Sequence, residues 1–430
     1  MEQRDFFDLL PDLTLDEVFD AYLDCRKQKR RSLSSLRFER QYERRLMQLH
    51  KEITRRKYRT NPSKAFIVRH PVQREVFAAD FRDRIVHHLI MGRLMPIFEK
   101  VFSDASYSCR AGKGTLYGIL DCAEMMKRCS NAYTSDCYVL RLDIHGFFFH
   151  IDKDILYQKI KNLVDKEFFN TAKSSILYMI EEVLRDNPTH NCKIRGSRDD
   201  WTGLPKTKSL FYSGSHKGLP IGNLTSQIFA NFYLNDFDHY VVGLDKDIFY
   251  GRYVDDIVIM HPSRDYLLEV KQKVATYLAD ELGLELHPKK VSLQHFAKGF
   301  AFIGAYIKPG RIYPGKRLRA SFYRRVYALN AEWERAKKVD RFLIEKTVSS
   351  LNSYFGLLKH FDAWRVKLKG WNRLSDKIRS VLHTDQDLKK VWLDKKTKRQ
   401  MMDEARRIFT EPMRPKKKYR KMMKKETHPG

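Results

Sequence analysis

The feature that most constrains the fold of this chain is a pair of adjacent aspartates, Asp255 and Asp256, set between two short apolar runs. The runs, at 249–254 and 257–260, have the length of buried β-strands, and aspartate tolerates the geometry of a tight turn. The pattern predicts a β-hairpin with two carboxylates at its tip. Carboxylates are costly to place at the end of an apolar hairpin unless a metal or another cation neutralises them. For such a pair taken alone, an acidic surface turn is the alternative.

A second acidic element lies upstream, where residues 138–144 alternate in the manner of a strand. The apolar side chains point one way, and Arg141 and Asp143 point the other, so Asp143 is expected at the end of a strand on its polar face. One carboxylate at a strand end and two at a hairpin tip are what a two-metal site needs. Mg²⁺ prefers oxygen ligands, so the sequence predicts two Mg²⁺ ions as cofactors.

The charge of the chain indicates its partner. Lysine and arginine number 82 against 53 acidic residues, a net charge of +29, which favours an extended polyanion such as nucleic acid. No apolar run of about 18 residues is present to span a membrane, and residues 1–8 lack the pattern of a secretion signal. The six cysteines have no paired spacing, so reduced thiols in the cytoplasm are expected rather than disulfides or a zinc site.

Three further stretches carry candidate ligand-binding residues. Lys64, Arg69 and Arg74 lie in or beside strand-like segments, and they could converge on a triphosphate; the alternative is three unrelated cations in a basic protein. Residues 186–217 are rich in Gly, Ser, Pro and Lys and are predicted to be a long loop. Next, the glycine-rich turn at 218–222 opens a helix, which is expected to lie beside a bound nucleotide.

These residues, in this order, resemble a reverse transcriptase over roughly residues 50–310, with Tyr253-Val254-Asp255-Asp256 similar to the signature tetrad of that family. The resemblance implies that Asp143 and Asp255 hold the metal ions and that Asp256 supports them. Arg74 would bind the incoming triphosphate, and Phe148 would exclude a ribose 2′-OH. The remaining residues that the resemblance assigns are Ile144 at the metal and nucleotide site, and Lys64 and Arg69 as looser fits to nucleotide-binding positions.

The resemblance also implies an α/β right-hand polymerase, with fingers, a palm of antiparallel strands backed by helices, and a helical thumb. We therefore expect four segments: a helical basic segment at 1–60, fingers and palm at 61–312, a thumb at 313–405 and a basic tail at 406–430. The tail includes the lysine-rich stretch 414–425, and a second basic run lies at 26–31.

A narrower resemblance lies in residues 219–227. Many reverse transcriptases carry Gln at the place of Ile221 and Pro at the place of Gln227, whereas the form found here, with Gly222 between them, is similar to diversity-generating retroelements. Gln in the nucleotide pocket could donate a hydrogen bond that Ile221 cannot. Losing that bond is worth about 1–3 kcal/mol, or about tenfold to a hundredfold in discrimination. The hypothesis is that Ile221 admits non-complementary nucleotides, which the resemblance places opposite template adenines; the alternative is ordinary packing.

The function expected from these features is RNA-templated DNA synthesis in a bacterial or phage retroelement. The partners implied by the resemblance are a template-repeat RNA, a cDNA or DNA primer, dNTPs and a small basic, oligomeric accessory protein. Two alternatives stay open. One is the reverse transcriptase of a retron, a group II intron or a phage-defence system. The other is an RNA-binding protein on a degenerate polymerase fold, against which the three intact aspartates argue.

Overall fold

The structure is a computed structural model that describes residues 13–27, 32–70, 72–168, 172–337, 339–395 and residue 399. The basic tail at 406–430 and residues 28–31 of the basic run therefore lie outside the described residues. The described chain divides into two compact units. The first runs to Ile303 and includes Lys308–Gly310, and the second comprises Gly304–Ile307 and the described residues from Arg311 onward. The four-segment division expected from the sequence stays a prediction.

The first unit mixes helices and strands. Its helices are α1 (Leu15–Arg26), α2 (Leu33–Glu39), α3 (Tyr42–Thr54), α4 (Phe81–Val101), α5 (Thr115–Cys129), α6 (Phe147–His150), α7 (Lys153–Glu167), α8 (Ala172–Arg185), α9 (Leu224–Tyr233), α10 (Asn235–Val242) and α11 (Arg264–Leu282). Its strands are β1 (Lys64–Val68), β2 (Arg74–Ala78), β3 (Tyr138–Asp143), β4 (Lys193–Ile194), β5 (Phe249–Tyr253), β6 (Asp256–His261), β7 (Ser292–His295) and β8 (Phe300–Phe302). None of the helices in the described ranges is both long and apolar enough to cross a membrane.

The N-terminal helices form where the sequence predicts them. Thr14 caps α1 in a reciprocal pair with Glu17: the Thr14 hydroxyl accepts from the Glu17 backbone N–H, and the Glu17 carboxylate accepts from the Thr14 backbone N–H. This arrangement satisfies two backbone donors that a helix start leaves free. One face of α1 is apolar, and its residues Val18, Tyr22 and Cys25 are buried. These helices thus add to the core of the first unit.

An antiparallel sheet of four strands, called here the palm sheet, is built in the order β5-β6-β3-β7. Strands β5 and β6 form a hairpin, and β3 pairs with β6 along its whole length. Strand β7 begins only at Ser292. Pro288 has no backbone N–H to give to a sheet, and Lys290 N–H closes a turn onto the carbonyl of His287. Helix α11 packs against β3 and β6, which covers one face of the sheet.

A smaller sheet, called here the fingers sheet, has the order β2-β1-β4. Strands β1 and β2 are antiparallel, and β4 runs parallel to β1. β4 belongs to the stretch 186–217, for which a loop was predicted. That prediction holds for most of the stretch, in which β4 is followed by three consecutive short 3₁₀ turns, at Arg198–Trp201, Lys206–Lys208 and Leu210–Tyr212. We call residues 193–213 the insertion.

The second unit is mostly helical, as the sequence predicts for this part of the chain. Its strands are β9 (Ala305–Lys308), β10 (Arg311–Pro314), β11 (Leu382–Thr384) and β12 (Val391–Leu393), and its helices are α12 (Lys316–Arg335), α13 (Arg341–Leu358), α14 (Trp364–Asn372) and α15 (Asp376–Arg379). The predicted core-facing stripe of α13 is confirmed, since Leu351, Phe355 and Leu358 are buried. They pack in one cluster with the buried side chains Phe322 and Trp333 of α12.

Candidate active site

The palm sheet brings the three predicted aspartates to one end. Asp143 is the last residue of β3, and its register partner on β6 is Asp256. Tyr253 pairs with Asp256 across the hairpin, so Val254 and Asp255 form the turn. Val254 has a φ of 58°, which lies in the left-handed region that a β-branched residue rarely adopts. The predicted hairpin with carboxylates at its tip is therefore confirmed, and its turn is conformationally strained.

A lysine that sequence reasoning missed neutralises one of these carboxylates. Both oxygens of Asp143 accept hydrogen bonds from the Lys290 ammonium, at 2.9 and 2.7 Å. The Asp143 carbonyl oxygen also accepts from the His287 backbone N–H at 2.7 Å. Asp143 is only 7% exposed, so a partner for its charge is expected. The signal in the sequence was the pair of lysines after Pro288, but nothing there indicated that one of them returns to Asp143.

The electrostatics of the site favour a cation. Burial raises the pKa of Asp255 to about 6, with further contributions from Asp256 and Asp143, against the opposing effect of Lys290. Burial and Asp143 also raise the pKa of Asp256, while Arg141 and Lys290 oppose the rise. Crowded carboxylate oxygens with no thiol among them suit a hard divalent cation. Across the described residues, no group of three His, Cys, Asp or Glu side chains is arranged to hold a metal.

The turn that carries Asp255 is tied to a buried ion pair that the sequence did not reveal. Arg252 and Asp238 are both fully buried. The Arg252 guanidinium donates to the two Asp238 oxygens at 2.6 and 2.5 Å, and Tyr250 donates to the same carboxylate at 2.5 Å. A further guanidinium nitrogen donates to the Val254 carbonyl at 3.0 Å. Arg252 thus reaches from the core of the unit into the turn.

The Phe148 segment and the glycine-rich turn meet beside β2. Leu219 donates its backbone N–H to the Phe148 carbonyl at 2.7 Å. The Ile221 carbonyl accepts from the Phe77 backbone N–H at 2.9 Å. Gly222 has a φ of +118°, and a Cβ there would lie 2.7 Å from a methyl carbon of Val76. The glycine-rich turn therefore joins the Phe148 segment on one side and β2 on the other.

Gln227 and Ile144 are two other residues that the resemblance assigns. Gln227 is exposed on α9, and its side-chain oxygen lies 3.7 Å from the Cys109 sulfur. Ile144 has a buried side chain, and it forms an isolated bridge with Leu286. The Ile144 side chain belongs to the core, which leaves the main chain as its means of contacting a ligand.

The three predicted cations lie on or beside the β1–β2 hairpin. The β1–β2 register pairs Lys64 with Ala78 and Val68 with Arg74, so Lys64 and Arg74 lie at opposite ends of the hairpin, about 13 Å apart along the strands. Arg69 forms an ion pair with Asp200 of the insertion at 2.6 Å. The register separates Lys64 from Arg74, whereas Arg69 lies at the same end of the hairpin as Arg74. The shared triphosphate site for these cations stays a prediction. Arg74 stays an exposed candidate.

An antiparallel sheet with paired aspartates at a hairpin tip defines the palm of a template-directed polymerase. The family model for reverse transcriptase (RNA-dependent DNA polymerase) matches residues 73–307, which is more than half of the chain. The chain belongs to the reverse transcriptase family and has the right-hand polymerase fold. The predicted family is confirmed; the diversity-generating subtype is left to a proposal.

Two curated relatives share this region. The chain is 24% identical over 263 residues to a Saccharomyces cerevisiae protein named after intron 2 of COX1/OXI3, covering 53% of this chain and 29% of the relative. It is 22% identical over 255 residues to the protein YkfC of Escherichia coli, covering 52% of this chain and 60% of the relative. A solved telomerase from Candida tropicalis aligns at a TM-score of 0.47 with 11% identity, over 73% of this chain and 57% of that one.

Proposed function

We propose that the protein is an RNA-directed DNA polymerase. The observation that carries the proposal is the register that sets Asp143 against Asp256, with Asp255 in the adjoining turn, in a chain of the reverse transcriptase family. In this reaction the primer 3′-oxygen attacks the α-phosphorus of a dNTP, a new phosphodiester bond forms, and pyrophosphate leaves. Mg²⁺ ions, when bound, would favour the ionised primer hydroxyl and neutralise charge on the phosphates.

The residues of the chain have separate parts in this proposal. Asp143 and Asp255 would hold the ions, with Asp256 and the main chain of Ile144 beside them. Phe148 and Ile221 would bound the sugar and base of the incoming nucleotide, because their segments are hydrogen-bonded to each other and to β2. The net charge of +29 supports a template RNA and primer as partners.

The direct test of this proposal is primer extension on a defined RNA template with Mg²⁺ and dNTPs, followed by sequencing of the cDNA product. We expect cDNA from the wild-type chain. The same assay with a DNA template of identical sequence measures the preference for RNA. Absence of extension on both templates, by folded protein that binds the template–primer, would contradict the proposal.

We further propose that the cDNA is made with errors at template adenines, for mutagenic retrohoming in a diversity-generating retroelement. Support comes from Ile221, in the turn that contacts β2, and from Gln227, on the helix that follows the turn. The Ile221 side chain is half-buried and offers no hydrogen bond at this position. A small basic accessory protein would be the partner in that setting.

Replacing Ile221 with Gln should lower misincorporation opposite template adenine by about tenfold to a hundredfold, because the amide restores a polar contact in the pocket. The measurement is the error spectrum of cDNA copied from one RNA template. Ile221→Leu is the matched control, since it keeps an aliphatic side chain and should keep the wild-type spectrum. Equal spectra for wild type and Ile221→Gln would reject this role of Ile221.

Replacing Phe148 with Ala should let ribonucleotides enter. Phe148 is half-buried and packs edge-on against Phe147 at 5.6 Å between ring centroids, and its main chain is hydrogen-bonded to Leu219. Losing the ring should raise kcat/KM for rNTPs relative to dNTPs by about tenfold to a hundredfold. The measurement is single-nucleotide incorporation with each substrate. Unchanged selectivity with normal dNTP incorporation would exclude Phe148 as the gate.

A second candidate is supported by one observation, the relative named after an intron. An intron-associated reverse transcriptase copies RNA without a need for errors at adenine. Accurate cDNA from the wild-type chain in the sequencing assay would therefore retain the polymerase and favour this alternative over the mutagenic one.

A further inference from the structure

The second 3₁₀ turn of the insertion, Lys206–Lys208, lies directly against the segment that follows Asp143. Gly146, three residues after Asp143, has a φ of +56°, and a Cβ added there would lie 3.1 Å from the Thr207 carbonyl oxygen. Only glycine combines that backbone conformation with so close an approach. The turn thus contacts the chain at Gly146, between Asp143 and Phe148. Asp143 and Phe148 are the residues proposed to contact the ions and the sugar.

The other side of the turn is fixed to β2 through a buried carboxylate. Glu75 is 1% exposed and accepts from the Ser209 hydroxyl at 2.7 Å and from the Leu210 backbone N–H at 2.6 Å. It also accepts from the Trp201 indole N–H at 2.6 Å. Glu75 directly follows Arg74, so the turn bridges the strand of Arg74 and the segment of Phe148. Three hydrogen bonds to one buried carboxylate hold this bridge in place.

The bridge carries two exposed lysines whose charges are not neutralised by carboxylates. The Lys206 ammonium lies 5.3 Å from the centre of the Tyr212 ring, and the Lys208 ammonium has no hydrogen-bond or ion-pair partner among the described residues. Arg69, by contrast, is paired with Asp200, and Lys64 stands at the far end of the fingers hairpin. The two lysines therefore add positive charge to the bridge between the strand of Arg74 and the segment of Phe148.

We propose that Lys206 and Lys208 bind the triphosphate of the incoming nucleotide. The inference rests on the proposed polymerase function and deepens it. In this proposal the sugar contacts Phe148, the α-phosphate faces Asp143, and the β- and γ-phosphates extend along the segment between them. The Thr207 carbonyl packs on that segment at Gly146. Lysine suits such a ligand because its ammonium is a compact charge on a flexible stem.

The test compares Lys206→Gln, Lys208→Gln and the double variant with Lys193→Gln. Lys193 is an exposed lysine of the same insertion, but its register partner is Lys64, away from Phe148. Loss of a charge-assisted phosphate contact should raise the KM for dNTP about tenfold in the double variant, with a smaller change in kcat. Lys193→Gln should keep the wild-type KM. All three lysines are exposed, so thermal unfolding should be unchanged.

Binding of labelled dGTP, measured by equilibrium dialysis, separates this inference from the proposed function. Dialysis requires no polymerisation, so the inference is decided even in a protein that makes no cDNA. We expect the Kd for dGTP to rise about tenfold in the double variant. An unchanged Kd and KM, or weaker binding of the template–primer with dGTP binding intact, would overturn the triphosphate assignment.

Discussion

An Asp255→Asn protein should make no detectable cDNA and should nevertheless unfold at a higher temperature than the wild type. Burial, with Asp256 and Asp143 nearby, raises the pKa of Asp255 to about 6, so at pH 7 ionising this carboxyl costs more free energy in the folded protein than in the unfolded chain. Asparagine has the same shape without the charge. We expect a gain of about 1–2 kcal/mol in the free energy of unfolding, and a loss of about a thousandfold in primer extension.

The pH dependence of that gain follows from the two pKa values of Asp255. The carboxyl titrates near 3.8 in the unfolded chain and near 6 in the folded one. Below pH 3.8 both states are protonated and the ionisation penalty is absent; it grows as the pH rises from about 4 to 6 and is complete above that. The difference in Tm between Asp255→Asn and wild type should therefore shrink as the pH falls from 7 to 4.

The controls for this prediction use EDTA, Mg²⁺ and a second aspartate. Asp265 on α11 is exposed, so Asp265→Asn should change neither Tm nor primer extension. In EDTA the Asp255→Asn variant should be the more stable protein, and added Mg²⁺ should raise the Tm of the wild type more than that of the variant. A variant less stable than wild type in EDTA at pH 7 would contradict the electrostatic account.

The parts of the fold that local pattern specifies were predictable from the sequence. The β5–β6 hairpin follows from two apolar runs that flank a pair of turn-forming aspartates, and α13 follows from its helical apolar stripe. Each depends on residues close in sequence. The palm sheet register was not predictable, yet the expectation that Asp143 and Asp255 meet was sound, because buried strand ends with carboxylates need a common partner.

The parts that long-range contacts specify were missed. The insertion looked like a loop because its composition is polar, but Glu75 orders it through donors more than 120 residues away in sequence. The separation of Lys64 from Arg74 was not predictable, because alternation within a strand does not reveal the register between strands. Lys290 was missed because it reaches Asp143 across 147 residues. Sequence reasoning therefore identified the carboxylates and not the groups that position or neutralise them.

Arg252 is the clearest example of a positioning group that sequence reasoning missed. Replacing it is the second change for which we expect a large effect. An arginine inside the apolar run of β5 is unfavourable unless it is paired, and its partner Asp238 lies on α10, where helical pattern alone gives no reason to link them. Besides the two bonds to Asp238, Arg252 donates to the Asn231 carbonyl at 3.2 Å and to the Val254 carbonyl at 3.0 Å. The bond to Val254 acts on the strained residue before Asp255, so stability and turn geometry depend on one side chain.

Arg252→Met and Asp238→Asn should each lower the free energy of unfolding by about 3–5 kcal/mol, because each removes or unbalances a partner in a buried ion pair. The double variant should be less destabilised than the sum of the singles, by about 1–3 kcal/mol of coupling. Denaturant unfolding of the four proteins measures this cycle. Purely additive losses would show that the two side chains do not stabilise the fold as a pair.

The rate of primer extension should not follow the free energy of unfolding across the four proteins of that cycle. The double variant regains a neutral core, but Val254 still lacks the donor that holds the turn, so primer extension should stay about a hundredfold below wild type, the effect of misplacing a reacting group by about 1 Å. Arg252→Lys keeps the charge, yet one ammonium cannot reproduce the bidentate contact and also reach Val254, so it too should remain slow. The measurement is kcat at saturating dNTP and template–primer, below the unfolding temperature of every variant. Wild-type kcat in the folded double variant would show that the strained turn holds Asp255 in place without Arg252.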